Sequence, residues 1–440
     1  MKKKIDLLSD KSILSIEQDE FDRASFVDAI ADVIESQTTD VNAKKIKEFK
    51  DVRENMIVGI YGSWGFGKSS IINLLDENLN NRKIKSVYFN PWMYGSEEKL
   101  IHSLFELILE NSGIVKKFEK EFVDLLKQYQ SIISVVTPSV GKFTKAVVDY
   151  NKENSSAYYC KEKIDKLLSN KAKPLVIFID DVDRLSKHEV HILLKTIRLI
   201  ASFNHVIYVM AFDFDMVAKS IKENYVDGTT EDGKAFLEKI IQIPIRIPEI
   251  KSDALLKYAV KHLKLTTDID LSKDPIFKLI IEQYFHTPRD IKRFINSFRF
   301  TQMYLKGIVF ERDLVILELV RLKIGSLFEI FKIYYLAIKN GKTDDETYST
   351  SIIEYLKKDF RFLNNGTLSE QGSEFRNYNK IFCSLFGSNH IKSLRYQNVH
   401  NQYIDYDTFV NNNLHQQYKN LNNPFMLVDY FEKVPDLVKS

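Results

Sequence analysis

Residues 62 to 69 read Gly-Ser-Trp-Gly-Phe-Gly-Lys-Ser, which fits the phosphate-binding loop pattern G-x-x-x-x-G-K-[ST]. These residue types suit one chemistry. Glycines let successive backbone N–H groups curl inward on phosphate oxygens. Lys68 brings a point charge to the β- and γ-phosphates, and the Ser69 hydroxyl is a ligand for Mg²⁺. The expected nucleotide-binding residues are therefore Gly62, Ser63, Trp64, Gly65, Phe66, Gly67, Lys68, Ser69 and Ser70. A second set stands at Asp180-Asp-Val-Asp-Arg184. Asp180 suits a carboxylate that holds Mg²⁺ together with Ser69, and Asp181 is placed to polarise the attacking water. A double acid at the end of an apolar strand is costly unless a cation pairs with it. Asp183 reads equally as part of this set or as a solvated or helix-capping carboxylate.

Particular elements must position these groups. The apolar run Met56-Ile-Val-Gly-Ile-Tyr61 reads as a buried strand directly before the loop, and Ser70-Ile-Ile-Asn-Leu-Leu75 as the start of a helix directly after it. That helix N-terminus adds partial positive charge. Leu175 to Ile179 read as a strand buried on both faces, ending at the acids. Strand candidates at 56–61, 85–90, 174–179, 205–212 and 241–247 alternate with helical patterns such as 97–109 and 186–203. The alternation predicts an α/β fold with a doubly wound, mostly parallel sheet, and a ligand at the carboxyl ends of its strands. Near the start, Phe26, Ile30, Val33 and Ile34 are expected to share one helical face, and Trp92 to pack in the core.

The interval between Lys68 and Asp180 exceeds what one strand and one helix use. It places a helical insertion at 113–170, flanked by the two parts of a P-loop core at 1–112 and 171–250. After Pro248 helical periodicity dominates, giving a helical region at 251–342. Within it Ile291, Phe294, Ile295 and Phe298 follow i, i+3, i+4, i+7, with Lys292, Arg293 and Arg299 on the polar side. Residues 343–440 are polar, Asn-rich and aromatic, and read as a globular, α-rich C-terminal domain whose role the sequence does not reveal.

The chain has 440 residues, 44% hydrophobic and 28% charged, enough for two or three domains. A net charge of +3 carries no strong nucleic-acid signal. The two cysteines, Cys160 and Cys383, read as buried thiols. His102, His188, His191 and His205 lack metal-ligand spacing with cysteine, so Mg²⁺ is the one metal expected. The basic N-terminus lacks an apolar signal-peptide region, and no stretch approaches a membrane span. The expected setting is cytoplasmic, without a membrane.

Several further stretches act as a set: Phe21-Asp-Arg-Ala-Ser-Phe26, Phe89-Asn-Pro-Trp92, Ile207-Tyr-Val-Met-Ala-Phe-Asp213, Phe236-Leu-Glu-Lys-Ile-Ile-Gln-Ile-Pro244 and Thr287-Pro-Arg-Asp-Ile-Lys-Arg-Phe-Ile-Asn296. In this order, around both phosphate-site motifs, they resemble the KAP family of P-loop NTPases over roughly residues 15 to 300. The resemblance implies an additional-strand ATPase core with 251–342 as a helical lid, and nucleotide turnover coupled to conformational change, plausibly in antiphage defence. It places Asp213 at a sensor position, where the competing reading is a helix cap, and likens Arg289 to a sensor-2 arginine. Arg184, Arg198 and Arg246 all stay open as an arginine finger. Many family members carry transmembrane helices between the two motifs; this chain departs there.

The expected function is a KAP-type, Mg-dependent ATPase driving a conformational or assembly switch. It would act as a homo-oligomer, with any killing activity supplied by a separate effector protein. Preference for ATP over GTP rests on the resemblance, since no guanine-reading motif follows the core strands. Two alternatives stay open: a nucleotide-dependent scaffold with little turnover, and an ATPase stimulated by nucleic acid, although composition does not indicate a nucleic-acid partner.

Overall fold

The computed structural model describes residues 7–38, 56–94, 97–112, 161–168, 174–200, 203, 206–222, 229–267, 269–305, 311–329 and 331–332, with isolated positions at 120–124 and 377–430. The chain divides into two compact units, Lys11–Glu249 and a second made of Met1–Asp10 with Ile250–Ser440.

The first unit is built on five parallel strands: β1 (Met56–Tyr61), β2 (Lys85–Phe89), β3 (Leu175–Ile179), β4 (Val206–Phe212) and β5 (Ile243–Arg246). Their spatial order is β2-β3-β4-β1-β5. β3 and β4 are buried along their whole lengths, as parallel strands covered on both faces must be. Side chains alternate between the faces. Ile177, Ile179, Tyr208 and Met210 enter one core, with helices α3 (Glu97–Asn111), α4 (Lys187–Lys195), α5 (Phe214–Lys222) and α6 (Thr230–Ile240). Val176, Phe178, Val209 and Ala211 enter the other, under α1 (Ala24–Thr38) and α2 (Lys68–Asn81). β4 thus lies between the strand that carries the glycine loop and the strand that ends in the acids. This is the additional-strand arrangement, a doubly wound α/β fold.

Three local expectations need correction. The buried face of α1 is Val27, Ile30, Ala31 and Ile34, whereas Val33 is 37% exposed. Neighbouring helical positions point about 100° apart, so Val33 and Ile34 cannot both face α2. The helix after the acids is not regular throughout its described residues. α4 begins with a capping box between Ser186 and Glu189, then gives way to a wider π-type turn over Thr196–Ile200. The slip in phase leaves Ile197 and Phe203 both in the core. Trp92, expected inside, is 60% exposed. Asn90 caps the short turn Pro91–Met93 by accepting from the Trp92 N–H at 3.1 Å, and that turn buries Pro91 instead. Elsewhere α5 and α6 pack so tightly that a Cβ on Gly233 would lie 2.1 Å from the Ala218 carbonyl oxygen.

Most of 113–170 lies outside the described residues. The exception of note is a helix at 161–168, whose Ile164 and Leu168 join the core. Cys160, Cys383, His205 and nearly all of 343–440 also lie outside them. Among the described residues, no helix is long and apolar enough to cross a membrane.

The second unit carries α7 (Ser252–Leu263), α8 (Pro275–Tyr284), α9 (Pro288–Leu305) and α10 (Glu311–Lys323). Ile291, Phe294, Ile295 and Phe298 of α9 are all fully buried, on the face that their spacing predicts. Arg299 does not lie on a solvated face with Arg293. It is buried, and its Nε donates to Thr266 Oγ1 at 3.0 Å. Buried Arg312 on α10 donates to Asp274 at 2.9 Å and to Asp313 at 3.1 Å, so these charges enter the core paired. Burial still pushes the Asp313 carboxyl up to about 6 despite Arg312.

Candidate nucleotide-binding site

Strand register decides which groups meet. Tyr61 at the end of β1 lies opposite Phe212 at the end of β4, and Ile179 at the end of β3 lies opposite Met210. The residues that follow those ends, Gly62, Asp213 and Asp180, therefore emerge at one edge of the sheet. Ligands of open α/β sheets bind at such an edge.

The loop leaves β1 with the Gly62 N–H donating to the Phe212 carbonyl at 3.3 Å. Gly65 and Gly67 then take φ of 86° and 85°, the left-handed region that favours glycine. Gly67 is also the N-cap of α2, and no side chain caps that helix. First-turn N–H groups thus lack a side-chain acceptor at the concave side of the loop, which suits an anion. The Ser70 hydroxyl accepts from the Ile13 N–H at 3.4 Å, which ties the loop to the chain before α1.

Lys68 folds back over its own loop. Its Nζ donates to the Gly62 carbonyl at 2.9 Å and lies 3.6 Å from Asp183 Oδ2, with both side chains largely buried. Asp183 is thus the partner of the loop lysine, and Ser186 caps the following helix.

Asp180 accepts from the Asp181 N–H at 2.8 Å, and the Ser69 hydroxyl lies near enough to favour its charged form. Burial holds its carboxyl above the usual range, and the Ser69 hydroxyl is the largest opposing influence. A buried carboxylate beside a serine hydroxyl offers two hard oxygen donors. The pair fits Mg²⁺, and the uncapped loop with Lys68 fits the phosphates of a nucleotide.

Asp181 sits with φ 58°, a left-handed conformation that aspartate tolerates better than most residues. Its Oδ1 lies 2.9 Å from Arg184 Nε, an ion pair. The Arg184 guanidinium lies 5.8 Å from the ring centres of both Trp64 and Trp92. Asp213 accepts from the Met216 N–H at 3.1 Å and so caps α5. Arg289 belongs to the second unit, where its Nε donates to Asp10 at 3.0 Å. Arg198 and Arg246 are exposed.

Sequence reasoning missed Arg23. Its Nη2 donates to the Phe66 carbonyl at 2.6 Å and its Nη1 to the Gly67 carbonyl at 3.5 Å. A Cβ on Gly67 would crowd that Nη1 and have to displace the guanidinium. Arg23 thus occupies two carbonyls of the loop. Burial lowers its pKa, and the charge of Asp19 works against that. The Phe21-Asp-Arg segment was visible, but its reach to the loop was not. Arg23→Ala should weaken nucleotide binding by about 10-fold, because a part-buried carbonyl left without its donor costs about 1–3 kcal/mol. Isothermal titration with ATP, beside circular dichroism to verify folding, measures this. Unchanged affinity in a folded variant would remove Arg23 from the site.

Residues 23–305, well over half of the chain, match the KAP family P-loop domain. A curated relative, the phage T7 exclusion protein of Escherichia coli (strain K12), is 22% identical over 318 residues. The match covers 62% of this chain and 42% of that protein, so it spans less than half of the relative's length. Two solved structures are similar at low TM-scores. The Aeropyrum pernix ORC1 protein in complex with DNA has a TM-score of 0.34 and 14% identity, over 83% of this chain and 82% of that one. A Thermotoga maritima RuvB mutant has a TM-score of 0.33 and 12% identity, over 74% and 88%. The sheet order and the loop, not these likenesses, carry the fold assignment.

Proposed function

The chain belongs to the KAP family of P-loop NTPases, and from that premise we propose that it hydrolyses ATP with Mg²⁺ and uses the turnover to drive a conformational or assembly switch. One observation carries the reading: Lys68 with Asp183, and Ser69 with Asp180, meet at the same strand ends. The loop N–H groups and Lys68 hold the phosphates. Ser69 and Asp180 hold Mg²⁺, which neutralises charge on the phosphate oxygens when bound. Asp181 orients the attacking water. Phosphoryl transfer asks mainly for positioning and charge stabilisation, and these are the groups that the edge of the sheet assembles.

A role in antiphage defence rests on the phage exclusion relative, and a cytoplasmic setting and homo-oligomer remain part of the same proposal. Mg-dependent turnover of ATP, measured together with light scattering, tests both halves. The expected result is hydrolysis and a nucleotide-dependent change in scattering. Tight ATP binding with neither would favour the scaffold reading, and turnover that appears only on addition of DNA or RNA would favour the nucleic-acid-stimulated one.

A further inference from the structure

The acid assigned to water orientation does not stand alone. Asp181 pairs with Arg184, whose guanidinium lies near two indoles, 5.8 Å from each ring centre. Both distances fall within cation–π range. The two rings come from different segments. Trp64 is part of the phosphate loop, and Trp92 stands on the turn after β2, held there by Asn90. Both indoles are more than half exposed, so they contribute little to the core, and packing alone gives no reason for large aromatic rings at these positions. They are also the only two tryptophans in the chain.

We propose that Arg184 is a positioning residue for hydrolysis: held by cation–π contact with Trp64 and Trp92, it keeps the Asp181 carboxylate in register with the phosphate loop. This rests on the ATPase reading above. Arg184 Nε lies 2.9 Å from Oδ1 of Asp181, so the ion pair draws that oxygen towards the guanidinium. The left-handed backbone at Asp181 aims the side chain but cannot lock it, since the group is partly exposed. A lone exposed pair three residues apart would be a weak constraint, because long side chains lose it to rotation. The two nearby indoles add restraint by narrowing the freedom of the arginine. Since one of them belongs to the loop, the aim of Asp181 is tied to the conformation of the segment that holds phosphate.

Groups that orient a functional residue from behind typically change activity by about 10- to 100-fold. Arg184→Ala should lower kcat at least tenfold and leave KM for ATP within about twofold, because the phosphate ligands stay in place. Arg184→Lys should recover little, since an ammonium lacks the flat, weakly hydrated guanidinium that suits two indoles and a carboxylate at once. The decisive readout is a cycle with Asp181→Asn. If Arg184 acts through Asp181, the double variant is no slower than Asp181→Asn alone. Multiplying losses would overturn the proposal, as would an unchanged kcat in Arg184→Ala. Intrinsic fluorescence gives a readout independent of turnover. Both tryptophans report on the cation–π contact, so Arg184→Ala should change their emission without nucleotide, and unchanged emission would show that the contact does not form. Wild-type protein that binds ATP without hydrolysing it would instead sink the ATPase reading, with the fluorescence result still deciding whether the contact exists.

Discussion

Lys68→Ala should lose at least 100-fold in Mg-ATP affinity. The loop has many N–H donors but one side-chain cation, and a hydrogen bond to a charged phosphate oxygen contributes about 1.5–3 kcal/mol. Loss of long-range attraction to the remaining phosphate charge adds to that. The same change removes the partner of Asp183, whose side chain is only 7% exposed. A buried carboxylate stripped of its cation is strongly destabilising, so the variant should also melt earlier than wild type without nucleotide. The two effects separate in one thermal series. Mg-ATP should raise the wild-type midpoint and leave that of Lys68→Ala in place, because ligand stabilisation follows the ratio of concentration to Kd. Adding Asp183→Asn to Lys68→Ala should restore part of the melting temperature and none of the affinity. Equal ATP affinity for wild type and Lys68→Ala would mean that the site is misassigned.

Asp181→Asn should leave nucleotide binding intact and slow hydrolysis by about 10²- to 10⁴-fold, the usual worth of a positioned general base or water-orienting group. The amide keeps the shape and loses the charge that Arg184 and the water both read. Asp180→Asn should behave differently, because Asp180 shares its surroundings with Ser69. Its variant should need a higher Mg²⁺ concentration for half-maximal ATP binding. Mg²⁺ titrations followed by the two tryptophans separate the variants. Superimposable curves would show that the two neighbouring acids do not divide the work in this way.

These neighbours illustrate what reached the sequence and what did not. The glycine loop was legible because it is local: eight consecutive residues, with φ near +85° at Gly65 and Gly67 that only glycine adopts cheaply. The strands were legible for a related reason. A strand buried on both faces has to be apolar at every position, and β3 and β4 are. Helix faces were legible where the stripe was long, as on α9, and misjudged at Val33, where two adjacent candidates competed for one direction. The family followed from the order of these local pieces, and the match over residues 23–305 agrees.

Tertiary structure alone decided the rest, since those features join residues whose separation along the chain says nothing of their separation in space. Arg23 reaches carbonyls 43 and 44 residues away, and only the packing of α1 against α2 sends it there. Asp183 was one of three nearby acids, and the register of β3 beside β4 and β1 selected it for Lys68. Trp92 looked like core by type and was turned outward by a capped turn that buried Pro91 instead. Residue type and local period set which segments form strand, loop and helix. Sheet order and register, imposed by burying both faces at once, determine which side chains face the phosphate loop.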